Sequence, residues 1–588
     1  MYKSLIIISL ALFMLACITP PPVTLISSDK LTITDQQLKN PANKYRLYQY
    51  DMSESKHNTY EEYGIGGVHG FFYDIIYPEA RRGKPKKRGR SELADISEIV
   101  DDAHDRDMDI FLGDDWGYPS GMAGGKVVEK APELINRSIV MLTQQGSGTS
   151  AIDFQLPEDL HDILYAVIYP LIDGNIDMDK GQQLSTQKRS FSTTGLTGQW
   201  QLAVFARYTR DKDTQAQSTM GQFKHSGKMP DVMNKKAVAS FIEHSHEKIL
   251  KHIENPEQKI EAFYVNEPSL NQTHWDGKTE SPYATAPWTE SLPTRFENMH
   301  GYNLIPYLPA VFVGDDITAR RIRLHYKQAV AEQYTDSFAR QIKQWTNERG
   351  IKSSGHFLLN QFITQHVQGY GDLMKFASEF DIQALDIGIP EPDRYQIFNY
   401  QQTRFFSSIT EWKKREYTIM LLDPIIDNGG LGRSRPNPTI PVILNSVNMG
   451  FFHGASKFSS YMPLTKSDRS KRPGLTGYSA KEFTALNEYI GRIAMLLRGA
   501  KRGTQVALYY PVAMLQSELK ASASSWQHIT NQPEHKVRQA LWDNIENTLL
   551  ANDMEYLIVH PDAVKESDIQ QGKMLVGDSA FKYLIMPQ

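Results

Sequence analysis

Two acids and two aromatic rings stand together in the segment Gly113-Asp114-Asp115-Trp116-Gly117-Tyr118-Pro119-Ser120-Gly121. It follows a short apolar run, Met108-Asp109-Ile110-Phe111-Leu112, and is too rich in glycine and proline for a core element. Carboxylates at such a place can bind sugar hydroxyls or move protons, and an indole or phenol ring can cover the apolar face of a sugar. Asp114 and Asp115 are therefore candidate hydroxyl ligands, with Trp116 or Tyr118 as a stacking platform. The glycines of residues 121–125 lack the Lys-Ser/Thr ending of a phosphate loop and the spacing of a dinucleotide fingerprint.

Hydrolysis of a glycoside needs one acid to protonate the leaving oxygen and a second carboxylate. Glu267 is the first candidate: it ends the apolar run Ala262-Phe263-Tyr264-Val265-Asn266, and Pro268 stops the strand there. Asp423, after Tyr417-Thr418-Ile419-Met420-Leu421-Leu422, is the candidate partner. A structural acid paired with an arginine competes for Glu267, and a turn or helix-cap acid for Asp423. An inverting pair sits about 6.5–9.5 Å apart and a retaining pair about 5–5.5 Å; the sequence leaves that choice open. His356 could donate to a substrate hydroxyl or a carboxylate, and Asp386 and His453 stand at similar places. Acids and carbonyls would favour a hard cation over zinc. No EF-hand loop and no His-Glu-x-x-His run is present, so no metal ligands are assigned.

These positions share one feature: each is a polar or acidic residue at the end of a short strand-like run. Helix-like stretches lie between them, at residues 93–107, 234–253, 322–349 and 401–414. Strands alternating with helices imply a parallel sheet, and chemistry at the C-terminal ends of strands is the layout of a (β/α) barrel. The fold class is α/β: a TIM-like (β/α)8 barrel over residues 40–500, with its first strand in residues 63–72 and its last at 447–453. An antiparallel β insertion is expected at about 138–210, where short alternating runs replace the helical period. Residues 501–588 read as a partial open α/β, amidotransferase-like domain that stops on a freshly started strand, which implies a truncated chain.

The formal net charge of −4 over 588 residues, with no sustained basic stripe, gives nucleic-acid binding no support. The cluster Lys84-Pro85-Lys86-Lys87-Arg88-Gly89-Arg90 is a solvated loop or a contact for an acidic polysaccharide. Residues 1–17 form a charged start and an apolar run that ends in Met14-Leu15-Ala16-Cys17, the pattern of a lipoprotein signal peptide. Cys17 is the single cysteine, so lipidation there anchors an exported chain in the bacterial envelope and leaves no disulfide. Residues 18–39 would be the tether.

The segments together resemble glycoside hydrolase family 106, the α-L-rhamnosidases. The resemblance covers most of residues 63–588 and is carried by Gly113 to Gly125, Met229-Pro230-Asp231-Val232, Asn266-Glu267-Pro268, Arg295-Phe296-Glu297-Asn298-Met299-His300-Gly301-Tyr302, Ser354-Gly355-His356, Gly491-Arg492-Ile493-Ala494-Met495-Leu496-Leu497 and Tyr509-Tyr510-Pro511. It implies an exo-acting, inverting, calcium-dependent rhamnosidase that trims plant or algal polysaccharide. Two positions depart from the pattern: Asn360 and Asp423 stand where the family carries glutamate. A related glycosidase for another sugar, and a surface glycan-binding lipoprotein that has lost turnover, are the alternatives.

Overall fold

The computed structural model describes residues 33–51, 57–70, 94–114, 119–148, 152–160, 162–186, 190–193, 197–209, 228–270, 282–388, 400–423, 438–460, 475–523 and 530–587. Cys17, Asp115, Trp116, Tyr118 and the basic cluster lie outside them. The chain forms two compact units, Met1–Lys39 and Asn40–Gln588. In the first, Asp35–Lys39 is a short helix. No helix among the described residues is long and apolar enough to cross a membrane.

In the second unit eight parallel strands close a barrel. They are β1 (Tyr48–Asp51), β2 (Gly67–Gly70), β3 (Asp109–Gly113), β4 (Ala262–Asn266), β5 (Lys352–His356), β6 (Ile382–Gly388), β7 (Thr418–Asp423) and β8 (Lys457–Ser460). Each pairs with its neighbours in chain order, and β1 closes on β8 through Tyr48 opposite Ser459. Helices such as Ala94–Asp105, Lys235–His244, Tyr400–Trp412 and Ile440–His453 return the chain between strands. Both strand faces are covered, so β3, β4, β6 and β7 read as largely apolar runs, while β1, β2, β5 and β8 carry buried polar residues such as Gln49, His69, Ser354 and Ser459. Strand packing is tight: a Cβ on Gly355 would lie 2.2 Å from the Val265 side chain, so β4 and β5 approach only because that residue is glycine.

Two expected elements move. The barrel opens one strand earlier, at β1, and the apolar run at 447–453 is the end of a helix, Ile440–His453. That helix starts with Pro441 in its first turn and ends on Gly454 in the left-handed conformation, the usual start and stop signals. Closure falls to β8, four residues further on.

The antiparallel insertion is present. Arg137–Ser147, Ile163–Ile172 and Gln199–Tyr208 form its centre, and Thr285–Trp288 joins one edge. Period two splits its side chains: Ile139, Val167, Ala203 and Phe205 join the main core, while Val140, Ile168, Leu202 and Val204 form a second core. After the barrel, Tyr556–Val559, Val506–Tyr509 and Tyr583–Ile585 form a three-stranded parallel sheet in that order. Asn40–Gln588 is nevertheless one compact unit, because the two parts share buried polar contacts. Arg323, fully buried on the helix Ile317–Tyr334, donates to the carbonyls of Ala310 (2.6 Å), Gly314 (3.0 Å) and Ser517 (2.7 Å).

A single guanidinium thus satisfies carbonyls from both parts, and removing it leaves the buried Ala310 carbonyl without that donor. Arg323→Leu is expected to lower unfolding free energy by about 1–3 kcal/mol, measured by urea denaturation. A midpoint within error of the native chain would show that these bonds hold nothing together.

Candidate active site

At the C-terminal mouth of the barrel, β4 breaks at Glu267. Strand alternation would put Tyr264 and Asn266 on one face and Val265 and Glu267 on the other, toward the helices. Glu267 instead adopts φ 50°, a left-handed conformation rare for a side chain of this size. Its N–H donates to the His356 carbonyl at 3.1 Å, and its carboxylate Oε1 meets His356 Nε2 at 2.9 Å. The turn therefore brings the carboxylate onto the same side as Tyr264, whose hydroxyl bonds to His356 Nδ1.

The direction of these bonds follows from electrostatics. Burial first, then the neighbouring Tyr50 and Asp386, hold the Tyr264 phenol well above its usual range, so it keeps its proton. With Glu267 ionised and His356 neutral, Nε2–H donates to the carboxylate, Nδ1 is the acceptor, and the Tyr264 hydroxyl donates to it. Asp386, at the mouth end of β6, completes the group: one donor atom each from Glu267, His356 and Asp386 lies within 4.8 Å of the others. Beneath them, His69 is fully buried, its ring 4.9 Å from Tyr264 and its Nδ1 3.1 Å from the Ser459 hydroxyl. Burial, then the charge of Lys457 and the adjacent His356, push His69 well below the usual imidazole range, so it is neutral.

Of the residues expected from sequence, Glu267, His356 and Asp386 are brought together. The Asp423 backbone ends β7 at the same mouth, but its side chain lies outside the described residues. His453 is elsewhere. It closes the helix that precedes β8, at the opposite end of the barrel, with its ring 3.4 Å from Arg404 Nε and its carbonyl accepting from Ser407. The structure therefore corrects its assignment as a sugar ligand: the run it belongs to is a helix, not a strand. Asp114 is also differently placed. It is 0 % exposed, accepts from Ser120 Oγ at 2.6 Å, and faces His246 at 3.5 Å in the helix layer, so no sugar reaches it. The period-two rule that carries Phe111 inward turns Asp114 outward. Sequence reasoning missed Tyr264, His69 and Ser120; for Tyr264 the signal was available, since it shares a strand face with Asn266.

Calcium takes six to eight oxygen ligands. Among the described residues the mouth offers two carboxylates, and an imidazole already bonded through both nitrogens. That set does not by itself fit calcium.

No family model and no curated protein matches the sequence. Solved structures do share its fold. A rhamnosidase from Novosphingobium sp. PP1Y superposes with a TM-score of 0.57 at 11% identity, over 94% of this chain and 67% of that one. A β-galactosidase from the haloarchaeon Halorubrum lacusprofundi gives 0.50 at 10% identity, over 92% and 68%. Gan42B, a GH42 β-galactosidase from G. stearothermophilus, gives 0.50 at 11%, over 89% and 66%. At such identities the likeness is one of fold, a barrel with appended parts, and this chain spans about two thirds of each neighbour.

Burial pushes the Asp114 carboxyl up to about 8, against the pull of its bonds to Ser120 and its own backbone. An acid whose folded value is raised stabilises the fold at low pH, and that contribution is lost as pH rises from about 4 to about 8. Asp114→Asn has no proton to lose. Its melting temperature is expected to gain on the native chain over that window and to hold the gain at higher pH. A difference independent of pH would mean that Asp114 is ionised throughout.

Proposed function

We propose that this chain is an exo-acting glycoside hydrolase with Glu267 as its proton-transferring carboxylate. The observation that carries the reading is the left-handed turn that aims Glu267 into the mouth of a closed barrel, where His356 Nε2 holds one oxygen and Asp386 stands within 4.8 Å. His356 fixes the acid's orientation, and Asp386 is placed to bind a substrate hydroxyl or to act on the sugar from close by. One oxygen each of Glu267 and Asp386 approach within 4.8 Å, a closer contact than the about 6.5–9.5 Å spacing of carboxyl groups that admits a water in an inverting pair. Inversion therefore calls for a more distant partner, and we assign that role to Asp423, three strands further round the barrel. Rhamnose is the favoured sugar, supported by the sequence resemblance and the shared fold of the Novosphingobium enzyme.

Release of 4-nitrophenol from a panel of aryl glycosides tests this, with and without a chelator. The native chain is expected to turn over the α-L-rhamnoside, Glu267→Gln to lose at least a hundredfold in kcat, and Asp423→Asn to lose a similar factor. A different preferred glycoside would change the sugar and keep the chemistry. Loss on chelation, restored by calcium alone, would show that residues beyond those described complete a cation site. Asn360, which offers its carbonyl to His366 where the resembling family has glutamate, favours a second reading, a surface glycan binder. Well-folded native protein that binds sugar without any turnover would establish it.

We also assign the chain to the bacterial envelope through lipidation of Cys17. Cells expressing it should incorporate labelled palmitate into the protein, and Cys17→Ser should abolish the label; equal labelling of both forms would refute the anchor.

A further inference from the structure

We propose that Asp114 and Ser120 are positioning residues: together they clamp the backbone of Asn266 and so hold the turn that aims Glu267. The kinetic part of the proposal rests on the glycosidase reading above; its structural part does not.

Ser120 meets Asn266 twice. Its N–H donates to the Asn266 carbonyl at 2.9 Å, and its Oγ accepts from the Asn266 N–H at 2.7 Å. Its one hydroxyl proton goes to Asp114 Oδ1 at 2.6 Å. Ser120 is 1% exposed and Asp114 0%, so neither bond competes with water. Asp114 is tied in turn to β4, its N–H donating to the Tyr264 carbonyl at 3.0 Å. Residues 114 and 120 thus extend the β3–β4 ladder past the end of β3.

The consequence falls on the next residue. Asn266 is held on the β3 side by Ser120, and Glu267 on the β5 side by the His356 carbonyl. Between these anchors the chain adopts φ 50°. A left-handed residue other than glycine costs about 1–2 kcal/mol. Without the anchor on Asn266 the backbone can relax to the extended form, which returns Glu267 to the face of Val265 and separates it from His356. Among the described residues the second oxygen of Asp114 faces His246, which burial, then the charge of Arg349, lowers to about 3 and so keeps neutral. Nothing there calls for a charged carboxylate. What the site needs from Asp114 is one acceptor oxygen, which an asparagine amide also supplies.

Three variants separate the readings, assayed on the aryl glycoside that the native chain hydrolyses fastest. Ser120→Ala is expected to lose at least tenfold in kcat with KM within about threefold, while melting as a single cooperative unit. Asp114→Leu should lose as much. Asp114→Asn should stay within about threefold of native kcat. Ser120→Cys carries the first test if the alanine variant fails to fold. Native kcat in Ser120→Ala overturns the clamp, and so does an Asp114→Asn variant as inactive as Asp114→Leu, which would mean that the charge itself is used. Crystal structures of the variants provide a readout free of turnover. Glu267 should leave the left-handed region and part from His356 in Ser120→Ala, and keep both in Asp114→Asn. Glu267 unmoved in Ser120→Ala overturns the clamp even if the native chain hydrolyses nothing, whereas an inactive native chain with the expected movement overturns only the glycosidase reading.

Discussion

The mouth of this barrel depends on one backbone conformation, the positive φ of Glu267. Strand alternation alone would send the carboxylate into the helix layer, where an ionised group finds no water and few partners. The turn reverses it toward His356, and the rest of the local structure exists around that reversal. β5 supplies a carbonyl for the Glu267 N–H and an imidazole for its oxygen, both from the same residue. Gly355, immediately before it, lets β4 and β5 approach closely enough for both contacts. Strain of this kind persists only where neighbours over-determine the conformation, which is why it concentrates at sites that do something.

The interior beneath the mouth is polar yet carries little charge. His69 is driven neutral by burial and by Lys457, and the Tyr264 phenol keeps its proton for a similar reason. Lys457, at the far end of β8, sits 3.9 Å over the Tyr48 ring and 3.4 Å from Asp109, and burial lowers its ammonium to about 8. Lys457 with Asp109 at the base and carboxylates at the mouth leave an uncharged layer, His69 and Tyr264, between them. In a medium of low dielectric such a layer transmits the orientation of its dipoles better than it tolerates a net charge.

How much of this was legible in the sequence divides along physical lines. Glu267, His356 and Asp386 were found because each is a polar residue at the end of a strand-like run, and the ends of buried parallel strands are where a barrel displays its polar groups. Helices with clear caps and the alternating insertion were legible for the same local reasons. What failed depended on period or on pairing. The stretch 447–453 is mostly apolar and short, so a helix end and a buried strand look alike until Gly454 is read as a cap. β1 has only four residues, Tyr-Gln-Tyr-Asp, and owes its strand conformation to β2 and β8 on either side. Asp114 was misplaced because its residue type argues for a ligand, while its parity in β3 decides which layer it enters.

The hydrogen-bond chain at the mouth also constrains any proton that Glu267 carries. Tyr264 donates to Nδ1 of His356, and Nε2–H donates to Oε1 of Glu267, so donors run in one direction. A proton on Oε1 would face an N–H and break the chain. In this tautomer a protonated Glu267 holds its proton on Oε2, and His356 orients the carboxylate. The ionised form gains a charge-assisted bond from the same N–H that the neutral form uses less well. Under the role proposed for Glu267, proton transfer would strengthen a bond already in place, with no rearrangement of the groups that make it. Preorganisation of that kind costs nothing at the moment of reaction, and its origin lies in the strained residue that put the carboxylate within reach of the imidazole.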